Sequence, residues 1–168
     1  MDNKEKRYLD LLQGKAKTLM KGSDLMVDGN VVVVYHSTDA RFNVFKPSSV
    51  GWFGGGVYFS VHKGYDYRKY TLPCYLNAKK LATMDDLEDV LEEIGKPNAN
   101  IDIEKFGRYR KMLEGRGYDG FIHEVHGTTI AYWGDVANIK LAEPTYDDDG
   151  ILIPISMRLD FTNKDIRY

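Results

Sequence analysis

Apolar side chains recur at helical spacing near the N-terminus, with lysine and glutamate between them. These apolar positions are Tyr8, Leu11, Leu12, Ala16 and Leu19. Such a stripe predicts an amphipathic helix over residues 4–20 that docks on the rest of the molecule, with Gly22 ending it. We therefore divide the chain into a docking helix at residues 1–22 and a single domain at residues 23–168.

A β-branched run follows the predicted turn at residues 28–30. Four valines and a tyrosine occupy residues 31–35 without a polar interruption. A run of this length predicts a strand that is buried on both faces. Three polar residues, His36, Ser37 and Thr38, would lie at the mouth of that strand, where side chains on a rigid element can contact a ligand.

Three consecutive glycines at residues 54–56 precede another short predicted strand, residues 57–59. Glycines in series mark backbone that bends sharply or approaches another group closely, and here they would leave room for a ligand beside Tyr58. Downstream, residues 62–70 predict a helical turn and residues 72–78 predict a further strand.

The second half of the chain contains both helical and strand patterns. Residues 84–116 show two apolar stripes at helical spacing, separated by the sequence GKPNAN. The segments YDGFIHEV and TTIAYW predict two short strands about a tight turn. The segment ILIPISM predicts a last edge strand, because Pro154 cannot donate a ladder hydrogen bond. Strands interrupted by helices without a regular alternation indicate the α+β class.

Composition narrows the classes of function. The chain has 168 residues, 43% of them hydrophobic, and a formal net charge of −2, so no global positive field indicates nucleic acid or an anionic membrane. Cys74 is the sole cysteine, which excludes an internal disulfide and a zinc cluster of thiolates. No apolar run reaches the roughly 20 residues that a bilayer crossing needs, and no signal peptide is evident. We expect a soluble protein without a membrane partner.

An ordered set of short motifs then resembles a known family. YHST, GGGVYFS, CYLN, GYDGFI and ANIK occur in this order. The set is similar to the ADP-ribosyltransferase family, in its histidine-tyrosine-acid branch, which includes diphtheria-toxin-like and poly(ADP-ribose)-polymerase-like enzymes and small transferase modules of phage and mobile-element polyproteins. The tail from Asp147 to Tyr168 resembles segments that follow such modules.

The resemblance implies an α+β fold with a split antiparallel β-sheet core and flanking helices. It implies mono-ADP-ribosyl transfer from NAD, with release of nicotinamide, to a macromolecular acceptor. We expect the acceptor to be a protein, without excluding nucleic acid. A phage-encoded or bacterial effector that acts in the cytoplasm of the host cell fits this class.

The resemblance also assigns roles to the polar residues at the predicted strand end. His36 matches the histidine that hydrogen-bonds the ribose hydroxyls of NAD, and Ser37 matches the residue whose backbone holds the nicotinamide carboxamide. Thr38 and Ser60 are taken as further NAD-binding residues. A neutral imidazole both donates and accepts, as a hydroxyl does. The motif alone equally fits a histidine that caps a strand end.

Tyrosines would hold the nicotinamide ring. Tyr58 matches the residue that stacks on this flat cation, for which an aromatic face is worth roughly 0.5–2 kcal/mol. In the family a second tyrosine encloses the ring from the other side, and we assign this role to Tyr67, with Tyr65 and Tyr70 as competitors. The alternative is that these tyrosines are half-buried residues of the fold.

The third role belongs to an acid, because cleaving the nicotinamide–ribose bond develops positive charge on the sugar. Glu124 is the only acid between Phe121 and Trp133. On a strand FIHEV it would share a face with Ile122 and be aimed by the sheet. In many family members the glutamate opens the following strand, where this chain has Thr128. We prefer Glu124, since threonine supplies no charge.

Two other kinds of site and two other functions are alternatives to the transferase interpretation. HEVH resembles a zinc-protease motif, yet on a strand His123 and His126 would point to opposite faces, so no metal site is predicted. The glycine run lacks the following lysine and Ser/Thr of a phosphate-binding loop. The alternative functions are an NAD glycohydrolase, with water as acceptor, and a catalytically silent NAD-binding or virion interaction module.

Overall fold

A computed structural model describes residues 1–51, 53–63, 68–95, 106–124 and 128–168. Its helices are α1 (Asn3–Leu19), α2 (Met84–Glu93) and α3 (Phe106–Gly115). Its strands are β1 (Met26–Val27), β2 (Asn30–Val31), β3 (Val34–Thr38), β4 (Val57–Ser60), β5 (Tyr70–Leu76), β6 (Leu81–Ala82), β7 (Gly120–His123), β8 (Thr129–Tyr132) and β9 (Ile139–Leu141). The protein is therefore of mixed α+β class.

Local signals explain the first two helices. Asp2 caps α1 by accepting the Glu5 backbone N–H at 2.7 Å, and Leu12 and Ala16 are its buried residues. Thr83 and Asp86 form a reciprocal capping box at the start of α2. The predicted N-terminal helix is confirmed within one residue at each end, and both helices predicted downstream are present.

Seven strands form one sheet in the order β6-β7-β8-β4-β3-β5-β9, and β1 pairs with β2 in a separate ribbon. The pairs are antiparallel except β6 with β7. The helices α2 and α3 pack on each other through buried apolar residues at helical spacing. These residues are Leu87, Val90, Leu91, Tyr109 and Leu113.

The valine run is not one continuous strand, which corrects the prediction for residues 31–35. Val31 belongs to β2 and packs in a cluster with α1 residues, whereas Val34 begins β3 and packs in the main core of the large sheet. The two ends of the run therefore pack in two different cores, and residues 32 and 33 between them belong to no strand. Because β3 continues to Thr38, His36 lies inside the strand and not beyond it.

Two other predicted elements also differ. Residues 62, 63, 68 and 69 are not helical, and Tyr70 begins β5; residues 64–67 lie outside the described residues. The segment ILIPISM forms a single bridge, from Leu152 to Tyr146, and then a 3-10 turn at Ile155–Met157 instead of an edge strand. The tail beyond it covers β9, where the Leu141 N–H donates to the Ile166 carbonyl at 2.9 Å.

Buried cations hold this tail in place. Arg158 is 1% exposed, and its guanidinium donates to the Tyr8 hydroxyl and to the carbonyls of Glu143 and Leu141. The Lys140 ammonium, also buried, donates to the carbonyls of Asn163 and Asp165. Through these bonds α1, the sheet edge and the C-terminal tail form one packed unit.

Candidate functional site

A cavity lies where the large sheet is weakly paired. Strands β3 and β4 share one residue pair, Tyr35 with Ser60, whereas β3 pairs with β5 at five positions. A cavity of about 730 Å³ follows this gap, a volume within the usual range for small-molecule sites. Among the residues proposed from sequence, its lining includes His36, Ser37, Thr38, Tyr58 and Ser60.

His36 bridges the gap between the two strands. Its Nδ1 lies 2.8 Å from the Tyr58 carbonyl oxygen. A carbonyl only accepts hydrogen bonds, so Nδ1 carries the proton and Nε2 of the neutral ring keeps its lone pair. The ring meets Phe45 edge-on, with centroids 4.9 Å apart. Burial lowers the pKa of His36, and Arg68 lowers it further, although the Tyr58 bond opposes them.

His36 does not cap the end of a strand, because it lies inside β3 and bonds across to the neighbouring strand β4. The neutral imidazole is the favoured form at neutral pH, since its pKa falls below the ordinary value of 6.5. A neutral ring held by Nδ1 offers an acceptor at Nε2 to a hydroxyl group. This arrangement suits recognition of a sugar hydroxyl.

The Tyr58 side chain is held at both its ring and its hydroxyl. The hydroxyl donates to the Gly54 carbonyl and accepts the Phe53 N–H at 3.2 Å. Burial raises the pKa of Tyr58, so the phenol stays protonated and can donate. The half-buried ring packs against the cluster that contains Phe53 and Phe121. Tyr58 is among the residues that line the cavity, and its side chain is fixed in place by these contacts.

Two of the glycines before Tyr58 confirm the prediction that this backbone approaches another group closely. A Cβ on Gly55 would lie 2.5 Å from the Ser48 carbonyl oxygen, and one on Gly56 would lie 2.6 Å from that of Tyr132. These two glycines therefore permit close backbone packing. The glycine that touches the Tyr58 ring is Gly51, where a Cβ would lie 2.1 Å from the hydroxyl oxygen. The sequence analysis missed Gly51.

Two of the other predicted binding residues use their hydroxyls in local turns. Thr38 donates to the Ala40 carbonyl at 3.0 Å and accepts its N–H at 3.3 Å. Ser60 makes the equivalent pair with His62, at 3.0 and 3.2 Å. Both residues line the cavity, and a ligand would have to share these hydroxyls or replace the turn bonds.

The predicted acid lies outside the cavity wall. Strand β7 ends at His123, and Glu124 is exposed just beyond it. The prediction that the strand itself orients the Glu124 side chain is therefore wrong. The adjacent position in the wall is Thr129, which pairs with both His123 and Ser60. Thr129 was missed, although its alternation with buried Ile130 was a usable signal. The rival position, Thr128, contributes its carbonyl to a bond with Val61 N–H.

The second stacking tyrosine is not placed. Tyr67 and Tyr65 lie outside the described residues. Tyr70 is the first residue of β5, and its ring is faced by Arg41 at 5.2 Å and Lys69 at 5.1 Å. Tyr70 is not among the residues that line the cavity.

Cations at the cavity were also missed from the sequence. Lys46 and Arg68 line it, and Arg68 pairs with the Asp39 carboxylate at 2.8 Å. No aspartate or glutamate stands among the described lining residues. The cavity therefore combines apolar walls, hydroxyl groups, one neutral imidazole and positive charge.

Within the described ranges, no group of three or more His, Cys, Asp and Glu side chains could hold a metal ion, and His126 lies outside those ranges. In the same ranges, no helix has the length and apolarity to cross a membrane.

Comparisons with known proteins add little to this site. No protein-family model matches the chain, and no curated protein matches it. Among solved structures, the chain is similar to a crystal structure of an anti-CRISPR protein, with 17% sequence identity and a TM-score of 0.42 over 65% of this chain and 92% of that one. A likeness at this level identifies no family, so the functional argument depends on the cavity itself.

Proposed function

We propose that the chain is a mono-ADP-ribosyltransferase that uses NAD as substrate and a protein as acceptor. The observation that carries the proposal is the bond from His36 Nδ1 to the Tyr58 carbonyl, inside a cavity along the β3–β4 gap. The weak pairing of β3 with β4 supports an ADP-ribosyltransferase-like split sheet. We place the enzyme in the cytoplasm of a bacterial host, as the resemblance to phage modules implies.

In this proposal NAD occupies the gap between the two strands. His36 Nε2 accepts a ribose hydroxyl, and the backbone of Ser37 holds the nicotinamide carboxamide. The Tyr58 ring stacks on the nicotinamide cation, an interaction worth roughly 0.5–2 kcal/mol. The hydroxyl bonds of Tyr58 to the loop fix the ring before the ligand arrives, so less conformational entropy is lost on binding.

The reaction breaks the bond between the nicotinamide nitrogen and the ribose carbon. The electron pair of that bond leaves with nicotinamide, which becomes neutral, and the sugar becomes oxocarbenium-like. An acceptor nucleophile then bonds to the carbon and releases its proton. Glu124 is the proposed carboxylate that stabilises the positive sugar, although its exposed position requires it to reach in from the end of β7.

The composition of the wall favours a second candidate, a silent NAD-binding module. Thr129 stands beside Ser60 where a carboxylate would face the sugar, and no acid belongs to the described lining. Without a negative charge near the ribose, NAD could bind and remain intact. An NAD glycohydrolase is the third alternative, in which water takes the place of the acceptor.

One assay separates these candidates. The pure protein is incubated with labelled NAD and a host lysate, free nicotinamide is measured by chromatography, and intact mass spectrometry detects acceptors that carry ADP-ribose. Nicotinamide release with modified acceptors supports the transferase. Release without modification indicates the glycohydrolase, and NAD binding without release indicates the silent module.

The matched variants for this assay are His36→Ala and His62→Ala. His36 lines the cavity, whereas His62 is exposed and contributes only backbone groups to the described bonds. We expect His36→Ala to abolish the NAD-dependent rise in melting temperature and His62→Ala to retain it. If wild-type protein shows neither NAD binding nor nicotinamide release, the proposed function is wrong.

A further inference from the structure

The charge of the chain is distributed unevenly around the cavity. Residues 39–70 contain five basic and two acidic residues, whereas the rest of the chain contains 18 basic and 23 acidic residues. In a protein of net negative charge, the stretch that borders the cavity is thus positive. A positive region of this kind raises the local concentration of negatively charged partners.

Four cations in this stretch have defined positions. Lys46 and Arg68 line the cavity, while Arg41 and Lys69 both lie over the ring of Tyr70. All four residues are exposed. Their described counter-charges are Asp39, whose carboxylate pairs with Arg68 and accepts the Lys69 backbone N–H at 3.3 Å, and Glu143, which interacts electrostatically with Arg41. The rim therefore keeps an excess of positive charge.

Exposed apolar side chains lie within the same rim. Val50 is 73% exposed and Val44 is 41% exposed, and both line the cavity. A surface with an apolar centre and charged edges is the usual composition of a protein–protein interface. A phosphate backbone has no apolar groups that would cover these two valines, which favours a protein over a nucleic acid.

We propose that this rim, formed by Arg41, Lys46, Arg68, Lys69, Val44 and Val50, docks an acidic protein surface that carries apolar side chains. Arg41 and Lys69 lie outside the cavity lining, over Tyr70, so they face a partner at the surface and not a ligand inside the cavity. Naming this partner as the ADP-ribose acceptor rests on the proposed function; the docking itself requires no turnover. Acidic groups around an apolar centre on the partner would complement the rim.

The test uses synthetic fluorescein-labelled probes and the full chain. The main probe is a glutamate-rich peptide with interspersed leucines; the controls are the same peptide with lysine for glutamate, an all-glutamate peptide and single-stranded DNA. Fluorescence anisotropy at low salt should show binding of the glutamate–leucine peptide and none of the lysine peptide. Binding should weaken as salt is raised, because the charges are exposed.

Matched variants locate the binding. Arg41→Gln with Lys69→Gln removes two rim charges outside the cavity wall, and Lys4→Gln with Lys21→Gln removes two exposed charges at the N-terminal helix. We expect the rim variant to bind the glutamate–leucine peptide about threefold to tenfold more weakly, and the helix variant to bind as wild type does. Val50→Ser should weaken the leucine-containing peptide but leave the all-glutamate peptide unchanged.

Other results would overturn the inference. Equal losses in both double variants would mean that the rim is not the binding surface, and tighter binding of DNA would assign the rim to nucleic acid. If NAD raises the melting temperature but the glutamate–leucine peptide does not bind, the docking proposal fails while the proposed function stands. If that peptide binds with the predicted variant effects and NAD has no effect, docking stands and the proposed function fails.

Discussion

The imidazole of His36 and the carbonyl of Tyr58 are joined at 2.8 Å across two strands that share a single residue pair. This side-chain bond connects the strands where ladder pairing is sparse. It sets the tautomer of His36 and, through the backbone, the position of the Tyr58 ring. His36 is therefore a structural link between the strands, and we propose that it also accepts a hydrogen bond from a ligand hydroxyl.

Stability should depend on pH through His36. The pKa of His36 is lowered in the folded state, chiefly by burial. Just below the ordinary value of 6.5, the unfolded chain therefore binds a proton at this residue and the folded chain does not. Stability is therefore lost as pH falls from 6.5 towards the folded pKa, and His36 makes no pH-dependent contribution above that window. Urea unfolding of wild type and His36→Gln at about pH 7.5 and about pH 5.5 measures this difference.

We expect wild type to lose more stability than His36→Gln over this range. The comparison cancels other titrating groups, including Glu143, whose pKa burial raises and whose effect has the opposite sign. Equal losses in the two proteins would show that the imidazole is not buried in its neutral form.

Gly51→Ala should destabilise the loop that covers Tyr58. The new Cβ would lie 2.1 Å from the tyrosine hydroxyl oxygen and 2.3 Å from Cζ, so the ring or the loop must move. Overpacking of this kind costs roughly 1–3 kcal/mol in the free energy of unfolding. The control is Gly14→Ala in α1, which meets nothing within 4 Å and should stabilise by roughly 0.5–1 kcal/mol.

Substitutions of Tyr58 should separate the contribution of its ring to NAD affinity from the contribution of its hydroxyl bonds to stability. Tyr58→Phe keeps the aromatic face, so NAD affinity by calorimetry should change little, whereas Tyr58→Leu should lose roughly 0.5–2 kcal/mol of binding energy. Both variants lack the hydroxyl that bonds Phe53 and Gly54, so each should lose about 0.5–1.5 kcal/mol of stability from that bond. Equal losses of NAD affinity in the two variants would count against stacking.

Glu124→Gln should reduce turnover much more than NAD affinity. A carboxylate that acts as charge develops on the ribose contributes mainly to the transition state, and its loss typically costs about a hundredfold to a thousandfold in rate. The measurement is nicotinamide release under saturating NAD. Glutamine keeps the shape while removing the charge.

The controls for that experiment are Thr129→Val, in the cavity wall, and Thr128→Val, at the rival position. Near-normal turnover in Glu124→Gln together with loss in either threonine variant would transfer the third role to that hydroxyl. Unchanged turnover in all three variants would mean that the site has been assigned to the wrong strands.

Arg158→Met should weaken the attachment of the C-terminal tail to α1. The buried guanidinium bonds the Tyr8 hydroxyl and two main-chain carbonyls, and methionine would remove these three bonds. We expect a loss of roughly 2–4 kcal/mol in the free energy of unfolding, with earlier proteolysis of α1. Arg7→Met, at an exposed position of the same helix, should change stability by less than about 0.5 kcal/mol.

The elements whose signals are local could be predicted from the amino-acid sequence. The apolar stripe that includes Leu12 and Ala16 is enough to predict α1, whose start the cap at Asp2 explains, and the Thr83–Asp86 box explains the start of α2. Strands β4 and β5 also follow from their own residues. Helical periodicity and capping act within a few residues, so no distant contact is needed to recognise them.

The arrangement of the candidate site, in contrast, depends on contacts that form only in the folded chain. The break after Val31 depends on two cores that meet the same valine run, and the covering of Tyr58 depends on Gly51 packing back on the ring. The end of β7 before Glu124 and the place of Thr129 in the wall depend on strand pairing. These features arise from contacts between residues far apart in the chain, where burial and backbone pairing outweigh local preference.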